Sequence, residues 1–135
     1  MPAAPAEPRT PEIEDANLPA ADLAAIRNVI LDQIAAFRDD DAAKAFSFAA
    51  PSIRQMFGTA DVFLQMVRKS YPAVYRPRSH AFRTMQLIEG KIVQPLAVIG
   101  PSGVAETALY VMQRQPDGSW KIEACIMAEE PGRDT

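Results

Sequence analysis

"VAETALYVMQRQPDGSWKIEACIM" (residues 104–127) decides the fold. Two runs of alternating character meet at Asp117-Gly118, a residue pair that tolerates positive φ in a tight hairpin. Strand side chains point to opposite faces in turn. Trp120, Ile122, Ala124 and Ile126 therefore share one face, expected to be core, and Lys121, Glu123, Cys125 and Met127 share the other. The preceding run sets Val104, Glu106, Ala108, Tyr110, Met112 and Arg114 against Ala105, Thr107, Leu109, Val111 and Gln113. Glu106 and Tyr110 thus share a face with apolar residues. If that face is interior, an unpaired carboxylate costs about 3–5 kcal/mol, and Arg78 or Arg83 is its expected partner. If it is exterior, the strip is a dimer contact.

Working back from the hairpin, the apolar period is 2 as far as Pro77, giving strands over 79–89, 91–99, 104–115 and 119–128. "GPSG" at 100–103 marks a second reversal, and Gly90 a weaker third. Links this short require antiparallel neighbours. Before Pro77 the period is 3.6. Leu23, Ile26, Ile30, Ile34 and Phe37 line one face of a helix over 18–39, with Asn17 as the expected N-cap. "DDD" at 39–41 ends it and caps a short helix running up to Pro51, "PSIRQMFG" adds a turn or two stopped by Gly58, and Thr59 caps "ADVFLQMVRKS". Helix is expected to end at Pro72. Helices followed by strands make an α+β domain: three N-terminal helices on a curved four-stranded antiparallel sheet, enclosing a conical interior.

The chain has 135 residues, 48% hydrophobic and 23% charged, which suits one globular core. Pro2, Pro5, Pro8 and Pro11 punctuate an acidic, alanine-rich start, so residues 1–18 are expected to be an extended tail, 19–128 the domain and 129–135 a polar exit. Arg9 faces Glu7, Glu12, Glu14 and Asp15 in that tail, which matches the whole-chain net charge of −3. The neutral body disfavours nucleic acid as a partner. No apolar run reaches the ~20 residues of a membrane helix, so no membrane span is expected. The start lacks the pattern of a signal peptide, which points to the cytoplasm; a tail left after a cleaved leader is the alternative. Cys125, the only cysteine, permits no internal disulfide and is expected as a small core hydrophobe. One His and one Cys do not make a metal cluster, and no cofactor motif is present, so neither metal nor cofactor is expected.

The last hairpin, with Asp117, Gly118, Trp120, Lys121 and Ile122, resembles the acid-Gly-x-Trp-basic-Ile pattern of the nuclear transport factor 2-like, or cystatin-like, superfamily. More closely, "FRDDDAAKAFSFAAPSIRQMFG", "FLQMVRKSYPAVYRPRS", "VQPLAVIGPSG" and "ALYVMQRQPDGSWKI" are similar to a bacterial family called domain of unknown function 4864. The resemblance covers residues 20–130, and "YPAVYRPRS" is its most specific part. It implies a cone-shaped α+β fold, with pairing of copies through the outer sheet face, and no assigned activity. The superfamily's isomerase residues have no matching positions here.

Function concentrates in "SYPAVYRPRSH" (70–80), the connector from helix to strand. Arg68, Lys69, Arg76, Arg78 and Arg83 lie within 68–83 with no acid among them. Tyr71, Tyr75, Arg76, Arg78 and His80 are the expected rim of a site for a small anionic or amphipathic molecule, arginine forks holding its anion. The plainer reading has the cations capping a helix or solvated, the tyrosines packed on a helix end, and His80 exposed. The chain is thus expected to be a non-catalytic small-ligand-binding domain or a homodimeric interaction module. The alternative is a small lyase or isomerase with Glu106 or His80 as base and Tyr75 or Tyr110 as donor. Those groups would converge within about 3 Å of one reacting atom.

Overall fold

A computed structural model describes residues 18–129. The proline-rich tail with Asn17, and the polar exit beyond 129, lie outside the described residues. Helices α1 (Ala20–Arg38), α2 (Ala42–Ser47), α3 (Pro51–Phe57), α4 (Ala60–Ser70) and α5 (Pro72–Tyr75) precede strands β1 (Ser79–Phe82), β2 (Gln86–Ile88), β3 (Lys91–Ile99), β4 (Ala105–Arg114) and β5 (Trp120–Glu129). The fold is α+β with an open antiparallel sheet. β3, β4 and β5 are neighbours in that order, while β1 and β2 share the other edge of β3. Among the described residues no helix is long and apolar enough to cross a membrane.

The α1 stripe lands as its spacing requires: Ile26, Ile30, Ile34 and Phe37 are buried in one cluster with Leu96, Val98, Ala108, Met112, Trp120 and Ile122 from the sheet. The three aspartates divide the work at the end of α1. Asp39 is its C-cap, Asp40 takes a left-handed φ of 55°, and Asp41 caps α2 by accepting from the Lys44 N–H at 3.1 Å. Thr59 caps α4 by the same device, accepting from the Val62 N–H. At the other end of the molecule Asp22 holds the hairpin. It accepts from Arg114 at 2.7 Å and from the Trp120 indole at 3.3 Å, and the Arg114 guanidinium lies over the indole ring. These donors, Arg114 first, keep the Asp22 carboxyl below its ordinary range.

Three expectations are corrected. The helix count is the first: α4 stops ahead of Pro72 as expected, at Ser70, but after Tyr71 leaves helical geometry Pro72 opens the extra turn α5. With α3 this gives five helices among the described residues, not three.

The strand expected over 79–89 is two strands. Pro95, opposite the break, has no N–H to give to the ladder. Instead the Gln94 amide donates to the Arg83 carbonyl at 2.7 Å, and Arg27 from α1 donates to the Gln94 side chain at 3.0 Å. Met85 in the break is fully buried. The first edge is therefore β1 and β2, giving five strands among the described residues.

The third correction concerns β5. Val111 pairs with Ala124 but Met112 pairs with Ile122, so Glu123 is an extra residue. A bulge of this kind reverses inside and outside beyond it. Trp120 and Ile122 face the core as expected, but Cys125 and Met127 pack against it, and Ile126 is 53% exposed. The β5 edge at the bulge is covered by the α2–α3 link, whose Ala50 N–H donates to the Ile122 carbonyl while the Ile122 N–H donates to Phe48. On β4, the face of Ala108, Tyr110 and Met112 is the interior one, which removes the exterior alternative. Glu106 shares it but sits near the strand's end, half-buried, where a carboxylate keeps water.

Candidate functional site

Between the helices and the inner face of β4 and β5 lies a cavity of about 240 Å³. Gln33 and Phe37 of α1 form one wall, and Phe63, Met66 and Val67 of α4 another. Tyr71 and Val74 close it toward α5, and Tyr110, Ile122 and Cys125 form the sheet side. Ile53, Met56 and Phe57 of α3 stand over it. The space survives because α3 is too short and too far out to fill it: it runs from Pro51 to a glycine stop, Gly58 at φ 80°, and fully buries none of its residues. Met56, 71% exposed, marks the opening to solvent. Phe63 is the hub of the apolar wall, with Phe37, Phe46 and Phe57 rings at centroid distances of 6.0, 5.3 and 5.7 Å. No lining residue carries a charge.

One end of this cavity is polar. The Tyr110 hydroxyl is fully buried and has no hydrogen-bond partner. The Cys125 thiol lies near enough for the two groups to perturb each other's ionisation, a weak thiol contact that leaves the hydroxyl unsatisfied. Burial pushes the thiol up to about 12 and the Tyr110 phenol well above its ordinary value. Tyr71 is raised in the same way, by burial first and then by its proximity to Cys125. Two phenols and a thiol, all held protonated, thus converge on the cavity. By contrast the Gln33 amide is engaged, donating to the Ala45 carbonyl at 3.1 Å.

Of the expected rim only Tyr71 lines the cavity, and of the alternative acid–base set only Tyr110; Tyr75, Arg76, Arg78, His80 and Glu106 are not among its walls. Tyr75 and Arg76 instead form a clamp on the end of α1. The Tyr75 hydroxyl donates to Asp40, Arg76 donates to Asp40 at 3.2 Å and to the Phe37 carbonyl, and its guanidinium lies 4.3 Å over the Tyr75 ring. Arg38 returns the tie by donating to the Pro77 carbonyl at 2.9 Å. The Tyr75 hydrogen bond, before the Arg76 charge, holds the Asp40 carboxyl below its usual range.

Behind the clamp, α5 rests on the 100–103 turn so closely that a Cβ on Gly100 would lie 2.7 Å from the Ala73 Cα. This contact joins two of the segments that carry the family resemblance, "YPAVYRPRS" and "VIGPSG". Arg78 and His80 are exposed at the start of β1, with the Arg78 N–H donating to Ile99. His80 and Glu106 both pair with Val98 from opposite sides, which sets them about 10 Å apart across two strand spacings. Tyr110 is four residues further along β4, about 13 Å from Glu106.

Sequence reasoning missed the α3 and α4 wall; it expected Cys125 as a small core residue, as its packing shows, but not as part of the cavity wall. Ile53, Met56 and Phe57, at three- and four-residue spacing in a short helix, were the available signal for the wall. Cys125 carried none, because its inward direction depends on the bulge.

Fold and site together define a small α+β domain with an apolar, neutral pocket between its helices and its sheet. The chain belongs to the family described as Domain of unknown function (DUF4864), whose model matches residues 19–135. No curated protein and no solved structure matches it.

Proposed function

We propose that the domain is a non-catalytic receptor for a small amphipathic molecule, held in the cavity between α3, α4 and the sheet. The observation that carries this reading is the cavity itself: charge-free, walled by aromatic and aliphatic side chains, and polar at one end. Since ~150 Å³ suffices for a benzene-sized guest, this volume suits a molecule of about ten non-hydrogen atoms. For a guest of that size affinities on the order of 10–100 μM are expected. The nuclear transport factor 2-like placement fits the same picture, a long helix across an antiparallel sheet with an interior left partly open. An acid–base reaction finds less support, because His80 and Glu106 lie away from Tyr110 and outside the cavity walls.

Native mass spectrometry of the purified protein is expected to retain a small guest, or to accept one from a panel of aromatic and alicyclic probes. Met56→Trp, at an exposed position over the opening, leaves the fold unchanged and lowers binding at least tenfold. Binding unaltered by that plug eliminates this cavity as the site.

A second copy of the chain on the outer sheet face is the other reading. Ile126 and Ile88 are exposed there, and the face's Lys91 is neutralised by Glu123 at 2.6 Å, so two copies meet without like-charge repulsion. Light scattering should then give twice the chain mass, reverting to one on Ile126→Lys.

A further inference from the structure

We infer that the polar end of the cavity receives an uncharged hydrogen-bond acceptor, a carbonyl or ether oxygen of the ligand, from the Tyr110 hydroxyl, and that the site rejects carboxylates. This rests on the ligand-binding reading above and names the ligand's chemistry.

Tyr110 is 1% exposed and its hydroxyl lacks any partner, while phenylalanine would fill the same space without that loss. A buried donor left unpaired costs stability, so its presence is explained if something else completes the bond. A thiol is only a weak acceptor, so the Cys125 neighbour completes the bond poorly. Tyr71 and Tyr110 both line the site, and no cation lies among the lining residues. A neutral oxygen gains a hydrogen bond there and forfeits little hydration. A carboxylate would lose its hydration shell and find no counter-charge. The arginines that would have welcomed an anion are placed elsewhere, Arg76 on Asp40 and Phe37. The expectation of an anionic guest drawn from the arginine cluster thus gives way to a neutral one.

The test is a calorimetric or NMR titration of the full chain at pH 7 with three probes of matched size: acetophenone, ethylbenzene and benzoate. Acetophenone is expected to bind about tenfold tighter than ethylbenzene, and benzoate at least tenfold more weakly than acetophenone. In Tyr110→Phe the acetophenone preference should vanish while ethylbenzene binding is retained. Equal binding of acetophenone and ethylbenzene to the wild type overturns the inference, as does a preference that survives Tyr110→Phe or benzoate binding tightest. Each of those outcomes leaves the cavity reading standing. Failure of all three probes to bind overturns both.

Discussion

Two tyrosine-centred polar clusters sit at either end of the same short connector, and they have opposite bond accounts. At the α1 clamp every polar group is answered: Tyr75 by Asp40, Asp40 also by Arg76, and Arg76 also by the Phe37 carbonyl. At the cavity the Tyr110 hydroxyl is buried and unanswered, beside a thiol that stays neutral. The first arrangement is what a structural tie needs, since each donor is worth more when its partner is fixed in place. The second makes no sense as a tie. It makes sense as an unfinished contact. Residues of the same type, in one small domain, therefore separate into support and site by whether their hydrogen bonds close.

Substitutions at the two clusters should differ in size and in sign. The largest effect is expected at the base of the clamp. Gly100→Ala drives a Cβ against the backbone of α5, where no flexible side chain can yield, and should lower unfolding free energy by about 2–3 kcal/mol in denaturant titration. A loss under about 0.5 kcal/mol would mean that α5 is not seated on that turn.

Tyr75→Phe comes next, lowering the melting temperature by a few degrees. Its effect carries a pH signature. Asp40 has a folded-state pKa below the ordinary aspartate value of 3.8, Tyr75 being the first cause, so the stability it confers is present above that value and lost as pH falls through the folded value. The gap between wild type and Tyr75→Phe should close as melting is followed from pH 6 down to pH 3; a constant gap would show the hydroxyl bonded elsewhere. Smallest is Tyr110→Phe without ligand, where melting temperature should hold or rise slightly, because the substitution removes an unpaired buried hydroxyl. A clear fall would place Tyr110 with the clamp as a structural group.

The sequence disclosed whatever depended on neighbours within a turn or a hairpin. The α1 stripe from Ile26 to Phe37, the Thr59 cap and the Asp117-Gly118 reversal each follow from local spacing, and all recur in the structure. Hidden were the features set by distant partners. The break at 83–85 requires Gln94 and Arg27, the latter 56 residues from Arg83. The bulge at Glu123 is read only from the pairing of β5 with β4, and α5 only from its seat on Gly100. For the site, Tyr71 was legible as part of the expected rim, together with Tyr75 and Arg76, and Tyr110 only as a donor on the third expected strand. Their division between cavity and clamp was not, because it turns on which helix end each ring meets in space.

The extra residue in β5 decides which of its neighbours the chamber receives. Unbroken alternation from Trp120 and Ile122 would carry Ile126 inward; with Glu123 set aside from the ladder, Cys125 and Met127 take the inward places opposite Tyr110 and Ala108. Excising Glu123 would therefore straighten the strand and leave the thiol facing the chamber, because the pairing beyond the bulge is already the one a shorter strand would adopt. The composition of that wall is thus fixed by register, and it tolerates loss of the very residue that sets it.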